Sequence, residues 1–307
     1  DDRGLAVSGV VLAMPGSGGL GQRVSELAAM PLGVVESRRF PDDETYLRIG
    51  TACAGQSVVL VCTLDRPDRK LLPLVFLADA ARAMGAVRVG LVAPYLAYMR
   101  QDRQFHPGEA VTSRTFAALL SRYVDWLVTI DPHLHRYHAL TEIYSVPSRV
   151  VHAAPALSAW MAAHVERPVV VGPDEESAQW VQEVADRAGA PFVVMRKTRH
   201  GDRAVEVSAP DISAYRTHTP VVVDDVVSSG RTMVETVKRL VATGLRAPVC
   251  LAVHALFSES VEQALRDAGA AQVVTTTSVS HATSQIDILP LLVPAIRELA
   301  GLDAAPA

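Results

Sequence analysis

Residues 221–232 read VVVDDVVSSGRT: an apolar run ends in two acids and continues into a loop of small polar residues. The run VVVDD is continuous and β-branched, which is typical of a buried strand. The periodic segment TMVETVKRLV that follows predicts a helix beginning at Thr232. The small residues therefore fall at a helix N-terminus, where backbone N–H groups lack partners and can hold a phosphate.

Two acids, Asp224 and Asp225, precede this loop. Because like charges repel, we expect these carboxylates to face sugar hydroxyls or a magnesium ion rather than the phosphate itself. Apolar residues, two acids and a small-residue loop together resemble the phosphoribosyl-binding motif of the phosphoribosyltransferase fold. A purely structural interpretation stays open, because strands of α/β proteins often end in acids.

The composition limits the class of protein. A length of 307 residues favours two domains of roughly 150 residues each. A net charge of -4 with scattered basic residues predicts that nucleic acid is not a partner. We expect a soluble, cytoplasmic protein without a signal peptide, because no apolar segment reaches the roughly 20 residues that span a membrane. The three cysteines lack metal-type spacing, as expected of core thiols in the cytoplasm.

Apolar β-type runs alternate with helical patterns along the whole chain. The strand-like runs begin at positions 9, 57, 87, 125, 168, 191, 220 and 248. The helical patterns cover residues 70–84, 112–123, 177–188, 232–242, 260–268 and 291–302. This alternation predicts an α/β fold with two similar domains, each a mainly parallel sheet of about four strands flanked by helices. We expect the domains to cover residues 1–148 and 149–307, with the closing helix packed on either one.

Two loops combine charged, aromatic and amide side chains. Residues 39–46 carry three acids between aromatic rings, which is also typical of a solvated surface turn. Residues 94–109 follow a strand and contain arginines and glutamines, which suit a nucleotide because Arg pairs with phosphate oxygens and Gln reads an amino-purine edge. A long solvated connection is the alternative for this second segment.

Four stretches, in this order and spacing, resemble the ribose-phosphate pyrophosphokinase family. They read FPDDETYLRI (40–49), PYLAYMRQDRQFHPGE (94–109), DPHLH (131–135) and VVVDDVVSSGRT (221–232). The likeness covers about residues 8–300, and GPDEESAQWV and KTRHGDRAVEV look closest to the archaeal-type branch. The resemblance implies transfer of the β,γ-diphosphoryl group of ATP to the C1 hydroxyl of ribose 5-phosphate, giving AMP. It also implies that ATP binds across the cleft between the domains.

The resemblance also implies a role for each matching residue. The residues implied for ATP are Phe40, Asp42, Asp43, Glu44, Arg100, Gln101, Asp102 and His133. The residues implied for ribose 5-phosphate are Asp174, Arg199, Asp224, Asp225, Ser228, Ser229, Gly230, Arg231 and Thr232. His133 and Asp174 are implied to lie beside Mg²⁺. Other interpretations are that His133 is a packing or surface histidine and that the acids after Asp174 are residues of a helix's first turn.

Lys197 and Arg199 lie on a basic, glycine-containing loop after the strand-like run at 191–195. Without context this segment is typical of a solvated hairpin. Phosphoryl transfer needs cations that arrive as charge redistributes, and the Lys-x-Arg spacing matches the family's catalytic flexible loop. The resemblance therefore implies that both residues are catalytic.

Phe40 is implied to stack on the adenine bound by a neighbouring subunit, so we expect a homo-oligomer whose smallest active unit is a dimer. Two departures from the family pattern stand out. Ser228 to Thr232 replace the common Asp-Thr-Gly-Gly-Thr, so that Arg231 either contacts the phosphate or points to solvent. Asp43 replaces a glycine, which leaves the geometry of that turn open.

Three other functions are compatible with parts of the sequence. Gly16-Ser-Gly-Gly-Leu-Gly21, with Glu36 downstream, fits a dinucleotide fingerprint, although a tight strand-to-helix turn needs the same glycines. A phosphoribosyltransferase would share residues 224–232 but would not need the segment that contains Arg100. A non-catalytic regulatory homologue would keep the fold, and the presence of Lys197, Arg199 and His133 counts against it.

Overall fold

A computed structural model describes residues 8–200, 204–208 and 212–302. The chain forms two compact units. The first unit comprises the residues up to Val151 together with those from Leu289 onward, and the second comprises His152–Ile288.

The first unit is built on a parallel sheet of five strands in the order β1-β4-β5-β6-β7. Its strands are β1 (Gly9–Ala13), β4 (Ser57–Val61), β5 (Arg88–Ala93), β6 (Trp126–Ile130) and β7 (Ser148–Val151), and an antiparallel hairpin is formed by β2 (Val35–Arg39) and β3 (Thr45–Ile49). Its first three helices are α1 (Gly18–Ala28), α2 (Leu71–Ala83) and α3 (Thr112–Leu120). Every residue of β4 and β6 is buried, as expected of strands covered on both faces.

The second unit is built on a parallel sheet of six strands in the order β15-β14-β13-β12-β8-β9. Its strands are β8 (Pro168–Gly172), β9 (Phe192–Val194), β12 (Thr219–Val227), β13 (Val249–Ala255), β14 (Gln272–Thr276) and β15 (Ser284–Ile286), and a separate antiparallel pair is formed by β10 (Arg196–His200) and β11 (Ala204–Ser208). Its helices are α4 (Ala154–His164), α5 (Ala178–Ala188), α6 (Arg231–Ala242) and α7 (Glu259–Asp267). The predicted class, two α/β domains with parallel sheets and flanking helices, is confirmed.

The closing helix α8 (Leu289–Ala300) belongs to the first unit. The Arg88 side chain donates to the carbonyl of Leu299 at 2.9 Å, and that of Arg297 donates to the carbonyl of Ala28 at 3.0 Å. Arg149 forms an ion pair with Glu298. The chain therefore returns to its first unit after completing the second.

The predicted count of about four strands per domain was too low. The sequence patterns missed β7, β14 and β15. Strand β15 has three residues, too few to show a period, and β14 reads QVVTT, in which polar residues dilute the apolar run. The first strand of this group, β7, lies where the predicted domain boundary was drawn.

None of the helices within residues 8–302 that the structure describes combines the length and the apolar character that crossing a bilayer requires.

Candidate active site

The predicted phosphate loop connects β12 to α6. Gly230 adopts φ 67°, in the left-handed region, and a Cβ at this position would lie 2.2 Å from Cγ1 of Val261. Glycine is therefore required both by the backbone conformation and by the close approach. The helix begins at Arg231, one residue before the predicted start, and its first backbone bond runs from Val234 N–H to the Gly230 carbonyl at 2.8 Å.

The start of α6 supplies the donors that a phosphate needs. The backbone N–H groups of residues 231–233 precede the first helical hydrogen bond and have no acceptor within the helix. The positive end of the helix dipole also lies here. The Arg231 side chain is exposed, while Thr232 is half-buried. This arrangement suits a phosphate monoester bound mainly by backbone groups.

Three carboxylates lie at the same edge of this sheet. Val222 on β12 pairs in parallel with Val171 on β8, which places Asp224 and Asp225 beside the residues that follow β8, including Asp174. Burial raises the pKa of the Asp224 carboxyl well above its ordinary value, and the neighbouring charges of Asp225 and Asp174 raise it further.

Backbone hydrogen bonds orient these acids. The N–H of Asp225 donates to Oδ1 of Asp224 at 3.0 Å, and the N–H of Val226 donates to Oδ1 of Asp225 at 2.7 Å. Asp174 Oδ1 accepts from the N–H of Ser177 at 3.3 Å, so Asp174 caps the short turn Glu175–Ser177. Closely spaced, partly desolvated carboxylates repel one another unless a cation joins them. Their hard oxygen donors fit the preference of Mg²⁺.

In the first unit, the segment after β5 is held by an ion pair between a buried carboxylate and an exposed arginine. The Arg136 Nη1 donates to the two carboxylate oxygens of Asp102 at 2.7 and 3.0 Å, and the Asp102 side chain is only 3% exposed. The Thr112 hydroxyl donates to Oε1 of Gln101 at 3.1 Å, while Arg100 is exposed. Asp102 thus faces Arg136 and fixes this segment, and its predicted contact with ATP stays a prediction.

His133 lies just beyond β6 on a strained backbone. Asp131 has φ 33° and His133 has φ 55°, and the N–H of His133 donates to the Asp131 carbonyl at 2.9 Å. The rings of His133 and His135 lie 3.9 Å apart between centroids. Positive φ values at residues other than glycine cluster at functional sites. Because β6 ends at Ile130, His133 lies at the carboxyl edge of the sheet as predicted, whereas its role stays a prediction.

The segment predicted as a loop at residues 39–46 is the tip of the β2–β3 hairpin. Phe40 donates its N–H to the Glu44 carbonyl at 2.8 Å, which closes a tight turn around Pro41, Asp42 and Asp43. Asp43 has φ 69°, so it adopts the left-handed conformation for which glycine is usual. The Arg39 side chain donates to the Asp43 carbonyl at 2.9 Å. All four predicted ATP residues at this tip are exposed.

An open groove of about 1030 Å³ lies between this tip and the start of α2. Its lining combines charged side chains with an apolar floor, and the residues are Arg39, Asp42, Asp43, Glu44, Thr45, Asp68, Arg69, Leu72, Pro73 and Phe76.

Sequence reasoning did not find the partners that organise the first unit's edge. Arg136 was not singled out, although a buried acid such as Asp102 requires a cation. The Tyr98 hydroxyl donates to Asp68, and this hydrogen bond, followed by burial and the carboxylate charge, raises the pKa of Tyr98 to about 12. Neither partner is close in sequence, so no local pattern could have shown these pairs.

The backbones of Lys197 and Arg199 lie on β10, which pairs with β11, rather than on an irregular loop. Lys197 is opposite Val207 and Arg199 is opposite Val205. Their side chains and residues 201–203 lie outside the part of the chain that the structure describes.

The glycine-rich turn after β1 has a structural explanation. A Cβ on Gly21 would lie 2.4 Å from Cβ of Ala13, so that glycine allows α1 to pack closely on β1. Glu36, the acid of the dinucleotide fingerprint, lies on the hairpin outside the parallel sheet and forms an ion pair with Arg48. A dinucleotide site would place that acid at the end of a neighbouring parallel strand. The fingerprint is therefore not supported.

Comparison with known proteins covers nearly the whole chain. A family model described as the N-terminal domain of ribose phosphate pyrophosphokinase matches residues 10–123, and a model of the phosphoribosyl transferase domain matches residues 141–289. The ribose-phosphate pyrophosphokinase of Methanopyrus kandleri is 33% identical over 295 residues, which cover 95% of this chain and 100% of that protein. This chain belongs to the ribose-phosphate pyrophosphokinase family.

Other members of the ribose-phosphate pyrophosphokinase family give the same result. The protein of that name from Methanothermobacter thermautotrophicus is 30% identical over 290 residues, covering 94% of this chain and all of that one. These archaeal relatives agree with the predicted branch. The crystal structure of phosphoribosylpyrophosphate synthetase from Mycobacterium smegmatis superimposes with a TM-score of 0.83 at 23% identity, covering 95% of this chain and 98% of that one. This last likeness confirms the fold.

Membership of the family makes the two departures informative. Asp43 forms the left-handed turn at the hairpin tip without a glycine, with Arg39 as its partner. Arg231 occupies the first position of α6 with its side chain exposed, while the glycine that the geometry demands is Gly230.

Proposed function

We propose that this protein is a ribose-phosphate diphosphokinase, which transfers the β,γ-diphosphoryl group of ATP to the C1 hydroxyl of ribose 5-phosphate and releases AMP. The observation that carries the proposal is the start of α6, where a glycine-dependent loop follows directly on the paired acids of β12. A phosphate site next to carboxylates is suited to a phosphorylated sugar. The phosphate needs hydrogen-bond donors, and the sugar hydroxyls need acceptors.

In this proposal the second unit binds ribose 5-phosphate. The phosphate is bound by the loop residues Ser228, Ser229, Gly230, Arg231 and Thr232, chiefly through backbone N–H groups at the start of α6. The sugar hydroxyls donate to Asp224 and Asp225, whose carboxylates are already oriented by backbone donors. Asp174 lies on the adjacent strand end and completes the acidic edge.

The first unit is proposed to bind ATP. Arg100 and Gln101 follow β5, and the ion pair of the buried Asp102 with Arg136 holds that segment in place. His133 lies beyond the neighbouring strand β6. At the hairpin tip, the carboxylates of Asp42, Asp43 and Glu44 can accept from the amino group of adenine, and Phe40 can stack on its ring.

The C1 oxygen of the sugar attacks the β-phosphorus, and the bond from that phosphorus to the α,β-bridging oxygen breaks as AMP leaves. Lys197 and Arg199 are proposed to neutralise the charge that moves onto the bridging oxygen and the transferred group. Such a transfer depends on positioning and charge neutralisation rather than on a covalent intermediate.

The acid cluster of the second unit fits the magnesium ion that the family implies. Asp174, Asp224 and Asp225 would hold it there, with His133 proposed beside the metal that accompanies ATP. When bound, the cation would screen phosphate charge and offset the repulsion that raises the pKa of Asp224.

The decisive experiment mixes purified protein, magnesium, ATP and ribose 5-phosphate and follows AMP and 5-phosphoribosyl 1-diphosphate. Equal amounts of both products, formed without any added base, are expected. A phosphoribosyltransferase would form neither product from these substrates and would instead consume the activated sugar with a base. A regulatory homologue would be inactive alone and would change the rate of an added active homologue.

We also propose that the smallest active unit is a dimer in which Phe40 serves the neighbouring subunit. Mixed dimers of Phe40→Ala and Lys197→Ala chains test this, because one site of each mixed dimer would combine an intact Phe40 with an intact Lys197. At ATP concentrations well below the KM, where Phe40→Ala protein alone keeps about a tenth of the wild-type activity, random mixing should give about a quarter of the wild-type activity. If both residues serve the same subunit's site, the mixture should show only about a twentieth, the average of the two variants.

We infer further that the protein works in the cytoplasm, as its thiols suggest. Cys53, Cys62 and Cys250 are all free and buried, and burial raises the pKa of the last two to about 12. Such thiols are unreactive core residues rather than halves of disulfides. Cell fractionation followed by immunodetection checks this inference.

A further inference from the structure

One face of the β2–β3 hairpin carries a ladder of cross-strand pairs. Glu36 lies opposite Arg48, and Arg38 lies opposite Tyr46. Phe40 follows two residues after Arg38, and alternate residues of a strand share a face. Arg38, Phe40 and Tyr46 are therefore neighbours on one exposed face of the hairpin.

Arg38 contacts both rings of this face. Its guanidinium carbon lies 4.5 Å from the centroid of the Phe40 ring and 4.4 Å from that of Tyr46. The two rings are nearly perpendicular, with an angle of 88° and centroids 6.3 Å apart. A cation within about 6 Å of a ring centroid is attracted to the ring face. Arg38 thus lies against both rings and links them.

These contacts matter because core packing does not hold Phe40. The residue is 39% exposed and lies one residue beyond the end of β2, where the turn begins. An exposed aromatic side chain that samples several rotamers loses that freedom when a ligand stacks on it, which weakens binding. A guanidinium placed against the ring restricts those rotamers before the ligand arrives.

The neighbouring arginine has a different role. Arg39 donates to the Asp43 carbonyl and forms an ion pair with its carboxylate at 2.9 Å, so it holds the turn itself. Arg39 also lines the groove next to α2, on the opposite face of the strand from Arg38. The two successive arginines therefore stabilise two different parts of the hairpin tip.

We propose that Arg38 is a positioning residue for ATP: together with Tyr46 it fixes the ring of Phe40 in the orientation that stacks on adenine. This inference rests on the proposed function, since it assigns a task to Phe40 in binding ATP. Arg38 acts through the ring and makes no contact with the reacting atoms. Its loss should therefore change the KM for ATP and leave turnover unaltered.

The first experiment compares steady-state constants of three variants. Arg38→Met should raise the KM for ATP roughly threefold to fivefold, the range expected from one exposed cation–π contact. Its kcat and its KM for ribose 5-phosphate should stay within twofold of wild type. Arg38→Lys keeps the cation but lacks the planar guanidinium, so its KM for ATP should lie between those of wild type and Arg38→Met.

Arg48→Met is the matched control, because Arg48 lies on the same face, carries the same charge and pairs with Glu36 rather than with a ring. Its KM for ATP should match that of wild type. The inference is overturned if Arg38→Met leaves this KM unchanged, if Arg48→Met raises it equally, or if Arg38→Lys is as impaired as Arg38→Met.

A double-mutant cycle tests whether Arg38 acts through Phe40. In a Phe40→Ala background, Arg38→Met should add no further increase in the KM for ATP. Additive effects would mean that Arg38 acts independently of the ring and would overturn the inference. Wild-type protein that forms no AMP would instead count against the proposed function, whereas an active wild type with an unaffected Arg38→Met variant refutes only the role of Arg38.

Discussion

The loop after β12 and the hairpin tip of the first unit, the two proposed binding regions, are built in different ways. The loop uses backbone groups: its hydrogen-bond donors are N–H groups at the start of α6, and its conformation depends on Gly230, which packs against Val261. The hairpin tip instead presents side chains, since Phe40, Asp42 and Glu44 are exposed and Arg38 lies against the Phe40 ring.

This difference separates two kinds of site. A backbone site is rigid because it is part of the fold, and changing it disturbs both folding and binding. A side-chain site on a hairpin can be altered residue by residue with little effect on stability, because exposed positions contribute little. We therefore expect the second unit to determine whether the reaction occurs and the hairpin to determine how well the donor nucleotide is held.

The largest contrast should appear in kinetics. Lys197→Ala should lower kcat by about 10³-fold because a transition-state cation is lost, with ATP affinity nearly intact. Phe40→Ala should raise the KM for ATP by about tenfold with a much smaller change in kcat. Steady-state assays and calorimetric titration with ATP measure both effects.

Lys238→Ala, on the exposed face of α6, is the control for loss of a lysine in the second unit. If Lys197→Ala retains more than a tenth of the wild-type kcat, the division of roles between the two regions is wrong.

Gly230→Ala should destabilise the protein by about 3 kcal/mol and raise the KM for ribose 5-phosphate more than tenfold, because a Cβ strains the backbone and collides with Val261. Gly244 has a similar φ of 74° and open space around it, so Gly244→Ala isolates the backbone cost, about 1 kcal/mol. Urea unfolding measures both.

A Val261→Ala change in the Gly230→Ala background removes the colliding methyl group and should recover part of the loss. If Gly230→Ala and Gly244→Ala destabilise the protein equally, the contact between the added Cβ and Val261 has no effect. The loop after β12 would then not be a rigid part of the fold.

Variants of the ion pair between Asp102 and Arg136 test whether side chains alone can hold the segment after β5 in place. Arg136→Met should cost about 2–3 kcal/mol, because the Asp102 carboxylate, 3% exposed, loses its cation. Asp102→Asn should cost only about 1 kcal/mol, since Arg136 is 42% exposed and can turn to water. Urea unfolding measures the free energy of unfolding of both variants. Equal losses would contradict the expected difference between removing the cation and removing the carboxylate charge.

The smallest expected effect is a stabilisation of the protein rather than a destabilisation. The folded state raises the pKa of Asp224 above its unfolded value, so the ionised carboxylate destabilises the protein at neutral pH. This penalty falls as the pH is lowered through the raised pKa. In the absence of divalent cations, Asp224→Asn should therefore stabilise the neutral protein by on the order of 1 kcal/mol, and the gain should shrink on acidification.

Thermal unfolding with and without magnesium at several pH values measures this gain, with the exposed Asp186→Asn as control. Magnesium should stabilise the wild type more than Asp224→Asn. If Asp224→Asn is less stable than wild type without magnesium at neutral pH, the ionised Asp224 carboxylate does not destabilise the folded protein.

The sequence predicted the local structure around the second unit's candidate site better than that around the first unit's. Residues 221–232 are contiguous, and their hydrogen bonds are local, so the pattern alone indicates a strand, a phosphate loop and a helix. The pair of Asp102 with Arg136 joins residues 34 positions apart, and no local period reveals such a contact. The hairpin tip was predicted as a loop because the flanking strands are only five residues long and β2 is almost entirely exposed, so no apolar alternation marks them.

The return of α8 to the first unit has a consequence for biosynthesis. The ribosome translates β1 to β7 early, yet the first unit lacks its last helix, α8, until residue 300 has been translated. The intervening half is contiguous in the chain and can complete its own structure beforehand. The first unit, begun first, is thus finished last, and until then the surface that α8 covers stays exposed to chaperones.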